Sequence, residues 1–255
     1  MLIDTHAHLD AKQFDEDRTE VIARAKEAGV GHIVNIGFNR ETIPTTLALA
    51  EQYDFIYAAV GWHPQDVTSM REEDFAWIEE LCRHPKVVAI GEIGLDYYWD
   101  KSTMELQQRI FREQIRLARK VGKPIIIHNR EAHLDVLTIL KEEKAEEVGG
   151  IMHCFSGSAD TAIACVKMNF HISFGGPITY KNAVQPKKAL AAVPMDRLLL
   201  ETDCPYLTPH PFRGKRNESS YVEYVAEAAA NIKQVTTDEI AQITTDNAIK
   251  LLGIR

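Results

Sequence analysis

Leu2-Ile3-Asp4-Thr5-His6-Ala7-His8-Leu9 begins as an apolar strand and turns polar as it ends. On a strand, residues i and i+2 project to the same face, about 6.6 Å apart along the chain. His6 and His8 can therefore converge on one point just beyond the strand's carboxyl end. Two imidazoles at a strand edge are equally compatible with a plain surface. What decides the matter is whether other strands deliver matching side chains to the same place.

The same pattern, an apolar β-rich run followed by an amphipathic stretch, recurs along the whole chain. The spacing predicts strands over 2–6, 32–36, 55–60, 87–94, 124–128, 150–154, 170–174 and 197–203. It predicts helices near 17–28, 40–52, 72–82, 103–121, 132–144, 158–167, 183–193 and 219–233, and a terminal helix capped at Thr237. Eight strands, each followed by a helix, with no linker or low-complexity break, read as one (β/α)₈ TIM barrel over residues 1–255. The length matches the roughly 250 residues of that fold. A doubly wound open sheet usually has fewer strands in this length and often carries a Gly-rich phosphate loop; the sequence has none.

Hydrophobic residues make up 45% of the chain and charged residues 26%, the proportions of an ordinary globular protein. There is no apolar run of spanning length and no basic segment followed by an apolar one at the N-terminus, so a cytoplasmic protein without membrane contact is expected, and a monomer. Cys82, Cys154, Cys165 and Cys204 are scattered, which indicates neither a disulfide framework nor a zinc knuckle. A net charge of −8 argues against a non-specific nucleic-acid coat. It leaves room for an anionic substrate bound locally, because divalent cations and one basic loop can reverse the field at a site.

Polar residues fall at the carboxyl ends of the predicted strands, where barrel active sites lie. They are His6 and His8 on the first strand, Glu92 on the fourth, His128 on the fifth, His153 on the sixth and Asp203 on the eighth. Taken singly, each has an ordinary structural reading. Six together at equivalent positions would cost several kcal/mol uncompensated, about what metal coordination offsets. Four imidazoles and two carboxylates exceed one tetrahedral ion and suit two divalent ions sharing a carboxylate, with Glu92 as the bridge. Mixed nitrogen and oxygen ligation suits Zn, Mn, Fe or Ni, and Mg with several waters.

These blocks resemble the TatD family of metal-dependent hydrolases. The resemblance runs from Asp4-Thr5-His6-Ala7-His8-Leu9 through Gly61-Trp62-His63-Pro64 and Gly91-Glu92-Ile93-Gly94-Leu95-Asp96-Tyr97. It continues with His128-Asn129-Arg130, His153-Cys154-Phe155-Ser156-Gly157, Glu201-Thr202-Asp203-Cys204-Pro205-Tyr206-Leu207 and Pro211-Phe212-Arg213-Gly214-Lys215-Arg216-Asn217. It implies a metal-dependent DNase or 3′-to-5′ exonuclease with His6, His8, Glu92, His128, His153 and Asp203 as ligands. One departure is Ser219, where the family often has proline; the position starts a helix, where proline is merely favourable.

The chemistry expected is hydrolysis of a phosphodiester by an activated water. Asp203 would take the proton while touching a metal, and Glu92 would share in catalysis as the bridge. DNA would bind at the barrel mouth, with His63 and Arg130 as substrate contacts. Arg213, Lys215 and Arg216 form the only concentrated basic loop and are expected to bind phosphate. Tyr97, Tyr98 and Trp99 could stack bases or pack a helix. Glu201, sharing Asp203's face, is read as a buried group orienting a ligand. His32, His84, His133, His171 and His210 read as structural. The same ligand ring could instead hydrolyse a carboxylic ester, as in a D-aminoacyl-tRNA deacylase. A cyclic amidohydrolase or phosphotriesterase would often bridge its metals with a carboxylated lysine, and Lys123 stands too early on the fifth strand for that.

Overall fold

Every expected strand–helix repeat is present in the computed structural model, which describes residues 1–254; Arg255, part of the expected domain, lies outside the described residues. The strands are β1 (Leu2–Ala7), β2 (Val30–Gly37), β3 (Ile56–Val60), β4 (Val87–Asp96), β5 (Ile125–Arg130), β6 (Gly150–Met152), β7 (Phe170–Phe174) and β8 (Leu198–Leu200). The helices are α1 (Arg18–Glu27), α2 (Thr42–Gln52), α3 (Glu72–Leu81), α4 (Met104–Val121), α5 (His133–Glu142), α6 (Ala159–Lys167), α7 (Val184–Ala192), α8 (Val222–Lys233) and α9 (Thr237–Leu252). The strands pair in parallel in sequence order. An Ala7–Cys204 bridge closes the ring, with Asp203 N–H donating to His6 O at 2.9 Å and His8 N–H to Cys204 O at 2.8 Å. The fold is a (β/α)₈ TIM barrel. No helix among the described residues is long and apolar enough to cross a membrane.

Strands buried on both faces read as continuous apolar runs, and their period of two separates the faces. Ile125, Ile127, Leu198 and Leu200 pack outward with helix side chains such as Phe111, Ile115 and Val136. Val88, Ile126, Ile151 and Leu199 join a second cluster that lines the barrel and is floored by Leu252 and Ile254. Continuing that inner series by steps of two gives His128, His153 and Glu201, and Glu92 joins them across a register shift between Ile90, which packs outward, and Ile93. The alternation that fills the barrel with hydrocarbon therefore also delivers the polar groups to its mouth.

Several boundaries differ from expectation, and three of the differences matter for the site or for capping. β8 stops at Leu200, and Asp203 sits beyond it with φ +57. β6 stops at Met152, so His153 follows the strand rather than ending it. The last helix is capped by Thr236, not Thr237: the Thr236 hydroxyl accepts from Glu239 N–H and the Glu239 carboxylate accepts from Thr236 N–H, a capping box.

Where strand pairing ends, buried side chains take over the backbone. Gln107 and Gln114, seven apart on one face of α4, each clamp a peptide unit. Gln107 accepts from Asp96 N–H and donates to Asp96 O at 2.9 and 3.0 Å. Gln114 does the same for Trp62 at 2.7 and 3.1 Å. Asn35 accepts from Leu9 N–H at 2.6 Å. Buried Asp4 accepts from Thr202 N–H and hydroxyl, and from the Ser219 hydroxyl at 2.6 Å. Burial raises the Asp4 carboxyl to about 7, against these hydrogen bonds. Ser219 thus supplies a donor that proline would lack. Gly94, at φ +144, lets β4 approach β5, since a Cβ there would lie 2.0 Å from His128 O.

Gln114→Ala should leave both Trp62 backbone groups unpaired in the core. A loss of about 2–3 kcal/mol, read by calorimetry as a Tm lower by about 5–10 °C, is expected. Gln242→Ala, on an exposed turn of α9 where Gln242 bonds only Asp246, should change stability by less than about 0.5 kcal/mol.

Candidate metal centre

Glu92 lies at the centre of the mouth, buried, with its two oxygens facing different histidines. Oε2 is 3.3 Å from His6 Nε2. Oε1 is 2.6 Å from His128 Nδ1, 3.1 Å from His153 Nε2 and 3.7 Å from His63 Nε2. Across from it, Asp203 Oδ1 is 3.4 Å from His8 Nε2 and 3.7 Å from His6 Nε2. The left-handed turn at Asp203 and its N–H bond to His6 O aim the carboxylate back across β1.

Carboxylates behind the ring fix the tautomers of two histidines. Asp96 Oδ2 stands 3.0 Å from His128 Nε2 and also accepts from Gln65 at 3.0 Å. Glu201 Oε1 stands 2.9 Å from His153 Nδ1 and accepts from Cys154 N–H at 2.7 Å. Each pairing turns the other ring nitrogen toward Glu92.

Burial alone would keep Glu92 protonated, but the histidines around it hold it well below the usual carboxylate range. Asp203 is likewise lowered against burial by His8, His153 and His6. Asp96, opposed by burial, falls to about 2 beside His128. His153, which burial pushes down, is raised well above its ordinary value by Glu201 and Glu92. His8 and His128 are raised in the same way, by Asp203 and by Asp96 with Glu92. His6 is lowered by burial and His153, and His63 falls to about 3 through burial and His128.

The donor set fits divalent metal. Three groups have ligand atoms within 4.8 Å of one another: His6, His8 and Asp203; His6, His153 and Glu201; His63, Glu92 and His128. His6 Nδ1 and Nε2, His8 Nδ1 and Glu201 Oε2 are buried without a hydrogen-bond partner, a costly arrangement that a cation among them would relieve.

The structure thus brings His6, His8, Glu92, His128, His153, Asp203, His63 and Glu201 together. Arg130 stands on the rim of a cleft of about 620 Å³ whose lining includes His8, His63, Glu92, His128, His153 and Asp203. Arg213, Lys215 and Arg216 do not line that cleft. Arg216 pairs with Asp17 at 2.6 Å and lies over Phe14; Arg213 lies over Tyr180 and Lys215 over Phe212. The cations that do line it are Lys12 and Arg130. Asp96 escaped the sequence reading, although it shares Glu92's face four residues on. Lys12 and Gln65 lie in loops with no periodicity to mark them.

A TIM barrel with buried histidines and carboxylates converging at its carboxyl end is the framework of a metal-dependent hydrolase. The family model for TatD related DNase matches residues 3–253, and the chain belongs to that family. It is 63% identical over its full length and that of the relative to the uncharacterized metal-dependent hydrolase YabD of Bacillus subtilis. It is 37% identical to the 3′-5′ ssDNA/RNA exonuclease TatD of Edwardsiella piscicida, over 99% of this chain and all of that one. The crystal structure of YJJV, a TatD homologue of Escherichia coli, superposes with a TM-score of 0.94 at 34% identity, covering 100% of this chain and 98% of the other.

Loading metal should release protons, because His8, His128 and His153 hold protons in the metal-free protein at pH values where free imidazole does not. Their raised values mean more protons to displace at low pH and fewer as pH rises. Calorimetric titration of metal into apo-protein, in buffers of different ionisation enthalpy at pH 7 and pH 9, should show release falling toward pH 9 and apparent affinity rising. Equal proton release at both values would contradict the assignment.

Proposed function

We propose that this protein is a two-metal phosphodiesterase that removes nucleotides from single-stranded DNA, working from the 3′ end. The observation carrying this reading is the division of Glu92: one oxygen toward His6, the other toward His128 and His153, at the floor of an open cleft. That arrangement suits two ions sharing Glu92, one held with His6, His8 and Asp203, the other with His128 and His153. Divalent ions bound there would supply Lewis acidity toward the phosphoryl oxygens and a more acidic water.

The side chains account for the remainder. Asp203, ionised and next to His8, is the proton acceptor for the attacking water. Its position on a turn leaves it partly open to the cleft, whereas Glu92 is shut in by four imidazoles. His63 lines the cleft with Nδ1 accepting from Gln65 N–H and Nε2 3.3 Å from His128 Nδ1, so a phosphate oxygen entering beside His128 would compete for that nitrogen. Lys12 and Arg130 give the cleft cationic edges in a chain whose net charge is −8. The name of the Edwardsiella relative supports a single-stranded nucleic acid as the substrate.

Incubation of the metal-loaded protein with 5′-labelled single-stranded DNA should give a ladder shortened from the 3′ end, while D-aminoacyl-tRNA stays intact; deacylation with untouched DNA would overturn the reading. Asp203→Asn should lower kcat by about 10²–10⁴-fold, the range for a lost general base, with an unchanged circular dichroism spectrum. Elemental analysis of the loaded protein should give two ions per chain, and one or fewer for Glu92→Gln.

A further inference from the structure

Large exposed apolar side chains are not spread evenly over this protein. Among the described residues they are Met1, Tyr98, Trp99, Leu134, Val184, Tyr206 and Leu207. Trp99, Tyr206 and Leu207 line the cleft over the candidate metal centre, and Tyr98 adjoins Trp99. Trp99 is 65% exposed, a large hydrocarbon area left to water at the one place where a substrate must enter.

Arg130 is held beside it. Its guanidinium carbon lies 3.9 Å from the Tyr98 ring centre and 5.3 Å from that of Trp99. Most arginines of this chain are tied to carboxylates, such as Arg24, Arg112, Arg116, Arg119 and Arg216. Arg130 has no carboxylate partner among the described residues. The β4–β5 register, Gly94 with His128 and Asp96 with Arg130, sets it two residues above a candidate ligand. An arginine positioned by aromatic faces alone keeps all its N–H donors for a phosphate.

We infer that Trp99 and Arg130 form a nucleotide subsite at the cleft rim, Trp99 stacking an unpaired base and Arg130 binding the adjacent phosphate, and that this subsite selects single strands. A stacking face accepts any base but needs it unstacked from its neighbours. In a duplex both faces of an internal base are covered, so Trp99 has nothing to take. The inference rests on the nuclease reading above and adds to it the residues that choose the strand state.

Of the three tryptophans, Trp62 is buried and Trp77 is partly buried, so Trp99 dominates the fluorescence change at the mouth. Metal-loaded protein mixed in a stopped-flow instrument with hexathymidylate should show quenching before turnover. A GC-rich hairpin duplex long enough to stay paired under the assay conditions should give none, and Trp99→Phe should abolish the signal while raising KM less than Trp99→Ala does. Trp99→Ala should raise KM for single-stranded DNA by about tenfold with kcat changed less than threefold. Arg130→Ala should raise KM and reduce the salt slope of log KM by about one. Equal quenching by duplex, or a Trp99→Ala variant with wild-type KM, would overturn the subsite and leave the nuclease reading standing. Quenching by the oligonucleotide with no cleavage would do the reverse, and neither quenching nor cleavage would sink both.

Discussion

Glu92 is the constraint on which the rest of the mouth depends. A carboxylate buried among hydrocarbon strands is tolerable only if positive charge or strong donors surround it. Here four imidazoles do so, from β1, β5 and the loops after β3 and β6. Each imidazole in turn needs its far nitrogen satisfied. For His128, His153 and His63 that partner is Asp96, Glu201 or the Gln65 N–H, while His6 has no hydrogen bond at either nitrogen, and His8, beside Asp203, has none at Nδ1. The cluster is balanced where carboxylates back it and unbalanced where it faces Asp203, the side on which the donors converge with no hydrogen bond to complete them.

Such a cluster is useful only if its geometry is stiff, and the barrel sheet supplies that stiffness for Glu92 and His128, inside β4 and β5, but not for every ligand. β6 and β8 are each three residues long, and His153 and Asp203 lie past their ends. Side chains with both donors and acceptors, or with two acceptor oxygens, replace the missing ladder. Gln107 holds Asp96, Gln114 holds the residue before His63, and Asp4 holds the residue before Asp203. Asn217 fixes the other side of that turn, donating to Thr202 O and Tyr206 O at 2.8 and 2.6 Å. These amides and carboxylates do not face the cleft centre, yet each sits one step from a residue that does.

The division between what could be read from the chain and what could not follows from this. The barrel was readable because its parallel strands must be apolar throughout and its helices amphipathic, so the repeat shows directly in the residues. His6, Glu92, His128 and His153 were readable because each stands at the carboxyl end of an apolar run, where barrel sites lie, although β1 and β4 shift register around His6 and Glu92. Asp203 was placed on a strand that ends three residues earlier, since nothing in Leu198 to Asp203 marks where pairing stops. The basic loop misled for a different reason. Arg216 is adjacent in sequence to Asn217, but its charge is spent on Asp17, 199 positions away. Charge density along a chain does not reveal such long-range neutralisation. Lys12, isolated in sequence, keeps its place at the cleft.

For an acidic chain proposed to act on a phosphodiester, the placement of its cations matters. Most arginines are neutralised pairwise around the outside of the barrel, as in the Arg112–Glu143–Arg116 group joining α4 to α5. Exposed pairs of that kind add little stability, but they remove positive charge from surfaces where a nucleic acid would bind unproductively. Arg130, against aromatic rings, and Lys12 line the cleft with no carboxylate partner among the described residues, above a floor whose carboxylates would repel phosphate until cations occupied it. Attraction of a phosphate group to that floor would therefore depend on bound cations. On the proposed reading, an acidic chain of this kind would hold an anionic substrate locally rather than be coated by it.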